Sequence, residues 1–188
     1  SDVCSSDLLT ARIVGEDTTG TTLEVVDHER GGRPMTVRLT TAGRHNAANA
    51  MAVAAAAHAI GLDAEAIVRG LSTFSGVGRR LERKGEAAGV VVYDDYAHHP
   101  TAIRETLRAI RQREPERRVW AVYEPLTYHR TAALLPEFAE ALAAADGVAI
   151  ADIWAGRDPD TTIASAQGLA DAVAARNPTI AVAAPGAA

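Results

Sequence analysis

Over the first forty residues apolar and polar positions alternate in short runs. ARIVGED (11–17), GTTLEVVD (20–27) and PMTVRLT (34–40) are rich in Val, Ile, Leu and Thr. TTG and HERGGR separate them, and both are turn chemistry, so the pattern predicts an antiparallel meander over residues 11–40. At residue 44 the pattern changes. RHNAANAMAVAAAAHAI (44–60) is alanine-rich, ends before Gly61 and predicts a helix that is apolar nearly all round and therefore buried. A second helix is predicted over 63–73, with Asp63 as its N-cap and Ala66, Ile67, Gly70 and Leu71 facing inward. FSGVGRRLERKGE (74–86) reads as a linker. Beyond it, strands at 89–94, 118–123, 147–152 and 179–184 alternate with helices at 100–113, 131–145 and 165–175. Such alternation implies a parallel sheet with right-handed crossovers. Pro136 falls early in its helix, where it is tolerated or gives a mild kink.

The stretch VVVYDDYAHHP (90–100) concentrates the polar chemistry. Its apolar start predicts a buried strand, and Pro100 suits the first turn of the next helix. Asp94, Asp95, Tyr96, His98 and His99 then sit where a strand hands over to a helix, the edge at which open α/β sheets bind ligands. The loops at 124–130 and 152–160 should leave that same edge. A capped turn with surface histidines is the alternative.

On the first turns of the alanine-rich helix, Asn46 and Asn49 are three residues apart and share a face. An asparagine amide pairs bidentately with adenine. Alternatively His45 or Asn46 caps the helix, whereas Asn49 lies past the capping position. Arg79 or Arg80 either meets a phosphate or is solvated, and composition does not decide. GEDTTGTT (15–22) has the glycine spacing of a phosphate loop, but it lacks the lysine and precedes a strand, so it reads as a hairpin turn. No other stretch matches a phosphate loop.

The chain has 188 residues, and 47% hydrophobic content is enough for a core. A net charge of -5 argues against nucleic-acid binding. With Cys4 alone, no internal disulfide forms, which fits a reducing, cytoplasmic setting. No run of about 18 apolar residues is present to span a membrane, and no signal peptide is visible. Residues 1–8, SDVCSSDL, read as a non-native leader that joins no element.

Five segments occur in an order and spacing that resemble the Mur ligases, the ATP-dependent amino-acid ligases of peptidoglycan precursor synthesis. They are RHNAANAMAVAAAAHAIG, FSGVGRRLERKGE, VVVYDDYAHHPTAIRETL, EPLTYHRT and ADIWAGRD. The resemblance covers about residues 11–184. DDYAHHP with the downstream TYHRT is most similar to the members that join L-alanine to UDP-N-acetylmuramate. It implies an α/β fold: the end of a central ATPase domain at 9–84 (β-meander plus helices), then a truncated Rossmann-like parallel-sheet C-terminal domain at 85–188. The UDP-substrate domain, the phosphate loop and the main Mg2+ ligands are then expected in N-terminal domains outside these residues, and the fragment alone is expected to be inactive.

By the same resemblance, Asn49 would contact the adenine of ATP, with His45 and Asn46 supporting that turn. Arg80 would approach the phosphates and Asp95 the ribose. Tyr96 and His98 would line the reaction centre, and Arg130 would help hold UDP-N-acetylmuramate and L-alanine. His99 is expected only to cap the helix before Pro100. The chain departs from the family pattern at Glu124 (usually glutamine), Leu126 (usually histidine), Trp154 (commonly tyrosine) and Gly156 (commonly alanine). A sibling ligase that reattaches recycled tripeptide to the same sugar nucleotide is an alternative. A metal-dependent phosphoesterase using Asp94, Asp95, His98 and His99 as ligands is an alternative of another class.

Overall fold

The computed structural model describes residues 2–5, 9–28, 31–156 and 158–185. It comprises two compact units, residues 1–95 with 108–115, and residues 96–107 with 116–188.

In the first unit four antiparallel strands lie in the order β1 (Asp2–Ser5), β2 (Leu9–Asp17), β3 (Gly20–Asp27) and β4 (Pro34–Leu39). The last three are the expected meander. The first is a correction: Asp2–Ser5 pairs along β2, Cys4 opposite Ala11, instead of joining no element. An open strand edge offers backbone donors and acceptors whatever the side chains are. Residues 1 and 6–8 of the leader lie outside the described residues, as do 29 and 30 in the turn between β3 and β4.

The period of two puts Leu9, Ala11, Leu23, Val25, Val37 and Leu39 on one face of the sheet. They pack on Ala47, Ala50, Met51 and Ala54 of α1 (Arg44–Ala59), with Ile67, Val68 and Leu71 of α2 (Ala64–Thr73) alongside. Only one face of α1 is covered. Val53 is 57% exposed, and Ala52 and Ala56 are exposed too, so the helix is not buried all round as its composition implied. A helix lying on a sheet has one face to bury, and alanine is a good helix former on the other. Asp63 caps α2 as expected, accepting from the Ala66 N–H at 2.7 Å. Gly70 is exposed rather than inward. The hairpin reading of residues 15–22 holds: Asp17 pairs with Gly20, and Asp17 Oδ1 accepts from the Thr19 N–H and hydroxyl.

The largest difference concerns residues 82–94. β5 (Glu82–Ala87) and β6 (Val90–Asp94) form their own two-stranded antiparallel hairpin. The expected linker therefore contains a strand, and the expected buried parallel strand lies in a surface ribbon with Val90 62% and Val92 53% exposed. The two-residue connection explains the reversal. Ala88 (φ 49) and Gly89 (φ 79) both take positive φ, the requirement of a tight hairpin turn whose twist matches its strands. α3 (Pro100–Arg113) follows over the expected residues.

In the second unit β7 (Trp120–Tyr123), β8 (Gly147–Ile150) and β9 (Ala181–Ala183) are parallel neighbours in that order. The helix expected over 131–145 is two helices, α4 (Tyr128–Ala133) and α5 (Leu135–Leu142). The break falls at Leu134, so Pro136 enters the first turn of α5, where no N–H is needed. α6 (Ala166–Arg176) packs on α5, its N-terminus capped by Ser165 Oγ accepting from the Gly168 N–H. Phe138, Leu142, Val148, Leu169 and Val173 are essentially inaccessible and form the centre of this unit. The architecture is mixed α/β, with one parallel and two antiparallel sheets among the described residues.

Candidate functional site

The first-unit candidates start at the N-terminus of α1. Gly43 occupies the N-cap position with φ 92, and no side chain caps the helix. His45 and Asn46 therefore do not cap it. Asn46 instead turns back, its Nδ2 donating to the Ala42 carbonyl at 2.7 Å. The His45 ring lies against Gly43, where a Cβ would come within 2.8 Å of the imidazole. That close approach and the positive φ together require glycine. Asn49, one turn on, is exposed, and its side chain makes no hydrogen bond among the described residues. Because it is exposed, burial does not force a partner on its amide, and both edges of the amide are open to a ligand.

A second feature is the bend before β5. Arg79 (φ 57) and Leu81 (φ 49) hold left-handed conformations without being glycine, each costing about 1 kcal/mol or more. Two carboxylates hold the bend. Asp95 Oδ2 accepts from the Leu81 N–H at 2.8 Å, and Glu82 Oε2 accepts from the Arg79 N–H at 2.9 Å. The Arg79 bond, then Lys84, keeps the Glu82 carboxyl below the usual range. Arg79 Nε also lies 3.8 Å from Asp94. Of the two arginines, Arg79 answers this carboxylate, while Arg80 is exposed at the apex. Asp95 uses one carboxylate oxygen to hold the turn.

In the second unit Tyr96 and His98 form a pair, with ring centroids 5.0 Å apart and planes inclined by 59°. His98 Nδ1 lies 2.9 Å from the Tyr96 carbonyl oxygen. That contact requires the proton on Nδ1, which leaves Nε2 of the neutral ring as the acceptor. His99 has a capping role: its Nδ1 accepts from the Thr101 N–H at 3.3 Å and its carbonyl from the Ile103 N–H at 3.0 Å.

Two of the three polar loops leave the same edge of one sheet, because β7 and β8 are parallel neighbours. They are joined by backbone bonds, Thr127 N–H to the Trp154 carbonyl and Trp154 N–H to the Pro125 carbonyl, both at 3.0 Å. Asp158 adds a clasp that sequence reasoning missed. Its carboxylate accepts from the N–H groups of Tyr128 and His129 at the start of α4, and from the His129 ring at 2.9 Å. Burial opposes its ionisation, but these donors outweigh burial and hold the carboxyl below its usual range. An aspartate before a proline was the available signal, and its target thirty residues away was not legible. Arg130, on α4, is half-buried near Tyr123. Burial pushes the Tyr123 phenol well up, with the Arg130 charge opposing. The third loop follows β6, which is not a strand of this sheet.

Two departures from the family pattern prove to be one. A Cβ on Gly156 would come within 2.8 Å of the Trp154 ring, and Gly156 has φ 59. The larger aromatic ring needs the missing methyl.

The proposed metal set does not assemble. Asp94 faces Arg79, Asp95 accepts from Leu81, and His99 caps α3. Among the described residues no three His, Cys, Asp or Glu side chains converge to hold a metal ion. No helix among them is long and apolar enough to cross a membrane.

Comparison with known proteins completes the picture. The family model "Mur ligase, glutamate ligase domain" matches residues 79–187. A UDP-N-acetylmuramate–L-alanine ligase of Kineococcus radiotolerans is 47% identical over 144 residues, 76% of this chain and 30% of that protein. The ligase of the same name from Agathobacter rectalis is 45% identical over 143 residues, 76% of this chain and 31% of its own length. The chain thus spans about a third of the length of these curated relatives. Among solved structures, a UDP-N-acetylmuramate–alanine ligase from Thermotoga maritima superposes with a TM-score of 0.77 over 96% of this chain and 38% of that one, at 22% identity. A murein peptide ligase from Psychrobacter arcticus matches with a TM-score of 0.60 over 95% of this chain and 36% of its own, at 28% identity. The ordered motifs, the parallel sheet and these matches lead to one conclusion: the chain belongs to the Mur ligase family.

Proposed function

We propose that this chain is part of an ATP-dependent ligase that joins L-alanine to UDP-N-acetylmuramate in peptidoglycan precursor synthesis. The observation that carries the substrate assignment is the 45–47% identity, over three quarters of the chain, to relatives bearing that name. In such a reaction bound ATP supplies the phosphoryl group that makes the sugar carboxylate an acyl phosphate, from which the L-alanine amine displaces phosphate.

The roles are those the family resemblance implies, and the geometry of each side chain supports them. Asn49 presents an open amide, a fit for the adenine edge. Asn46 and His45 shape the turn beneath it and are not readers of the base, since Asn46 is committed to Ala42. Arg80, exposed on its bend, offers a cation to the phosphates. Asp95, which holds Leu81 beside the Arg80 bend, is the carboxylate that would meet the ribose. His98 carries its lone pair on Nε2, oriented by the Tyr96 carbonyl, and can accept a proton from the attacking amine. Tyr96 packs against that ring, and Arg130 neutralises charge on the carboxyl or phosphoryl group.

The 28% identical murein peptide ligase supports one second reading, attachment of a recycled peptide in place of L-alanine.

The test is kinetic, in the complete ligase carrying this chain. Asn49→Ala should raise KM for ATP about tenfold, the loss expected from a bidentate amide contact. His98→Ala should lower kcat about a hundredfold or more. Both variants should melt within a few degrees of the wild type. Near-normal constants in both would remove these residues from the mechanism.

A further inference from the structure

The last turn of α3 holds the N-terminus of α1 in place, and one side chain does most of this. Gln112 Oε1 accepts from the Gly43 N–H at 2.8 Å. Its Nε2 donates to the Gly20 carbonyl at 2.8 Å and lies 3.1 Å from the Asp17 carbonyl and 3.3 Å from Thr21 Oγ1. A single amide therefore uses both ends to tie the β2–β3 turn to the residue that starts α1. The contacts beside it repeat the pattern. Arg113 donates to the Thr40 carbonyl at 2.7 Å, and the Ala109 methyl lies 2.9 Å from where a Gly43 Cβ would be.

Gly43 makes this consequential. It has no side chain to cap the helix, its φ is 92, and its carbonyl receives the N–H groups of Asn46 and Ala47 at 3.0 and 3.3 Å. The direction in which α1 leaves the sheet, and with it the position of Asn49, depends on how this one peptide is held. Most helices fix that start with a side chain at the N-cap. Here the fixing group comes from another helix, 69 residues later in the chain.

We infer that Gln112 is a positioning residue for the adenine subsite: by holding the Gly43 N–H it sets the first turns of α1 and places Asn49 for the base. The inference rests on the reading that Asn49 meets adenine, and the test separates the two. Gln112→Met keeps the volume and removes both hydrogen bonds. Gln112→Glu keeps the acceptor for Gly43 and loses the donor toward Gly20.

The first measurement is amide hydrogen exchange in this chain. Gln112→Met should speed exchange at Gly43, Asn46 and Ala47 about tenfold, while Gln112→Glu should leave Gly43 protected. Unchanged protection in Gln112→Met overturns the inference outright. The second measurement is KM in the complete ligase. Gln112→Met should raise KM for ATP about five- to tenfold, matching the net worth of one well-made hydrogen bond, with KM for L-alanine and for the UDP-sugar within twofold. Gln112→Glu should restore KM for ATP toward the wild-type value. A purely structural role would lower the melting temperature of Gln112→Met without this split, and that result also overturns the inference. If Asn49→Ala likewise leaves KM for ATP unchanged, the adenine reading is what fails, and the exchange data alone decide whether Gln112 sets the turn. Should Gln112→Met not fold, Gln112→Glu decides: lost Gly43 protection, or a raised KM for ATP with Gly43 protected, contradicts the inference.

Discussion

At the scale of single residues, the chain gives its polar side chains structural work that composition does not reveal. Asp27 and His58 are the clearest case. Their side chains are 6% and 8% exposed, with His58 Nε2 3.1 Å from Asp27 Oδ2, a buried polar contact tying the end of α1 to β3. Apolar side chains (Leu9, Val25, Val37, Ile67) surround them. Removing one partner leaves a buried charge or dipole uncompensated, so His58→Ala should lower unfolding free energy by about 3 kcal/mol in urea titration. A loss below about 1 kcal/mol would show that the pair contributes little. Asp17 makes a prediction about pH. Its carboxyl is held well below the usual range, first by the Thr19 hydroxyl, then by Arg38 and the Thr19 N–H. A depressed folded-state pKa gives stability that is present above the unfolded value, near 4, and lost as pH falls toward the folded one. Asp17→Asn should therefore flatten the fall in melting temperature below about pH 4. An unchanged acid limb would contradict this.

At the scale of elements, local patterns carried far and non-local pairing did not. The limits of α3, the Asp63 cap and the turn at residues 17–20 follow from capping and turn chemistry, which act within a few residues. The candidate residues on α1 and in DDYAHHP stood out because amide and titratable side chains cluster there more densely than capping alone requires. β5 was not legible, because ERKGEA has no apolar alternation and its pairing is dictated by the positive φ at Ala88 and Gly89. The exposure of α1 could not be read either, since alanine suits a covered and an uncovered face equally. Asp158 was missed because its partners lie across a loop that only the parallel sheet brings near. The Trp154–Gly156 pair gives a test at this scale. Gly156→Ala should cost about 1–2 kcal/mol from the positive φ and the contact with the indole. Adding Trp154→Tyr should recover the contact part and leave the backbone part, a coupling measurable in a double-mutant cycle. Strict additivity would show that the ring does not impose the glycine.

At the scale of the whole molecule, the two compact units carry different parts of the proposed chemistry. The first holds the open amide of Asn49 and the Arg80 bend, both suited to a nucleotide. The second holds the Tyr96–His98 pair and Arg130, suited to a carboxyl group and an amine. Family membership and the α/β architecture are shown, and the choice of acceptor is the central claim. Its direct test is phosphate release by the complete ligase carrying this chain, given ATP, Mg2+ and UDP-N-acetylmuramate, with either L-alanine or the recycled tripeptide as the amine. The account predicts release that depends on L-alanine and is negligible with tripeptide alone. Release with the tripeptide and not with L-alanine, or with neither, would contradict it.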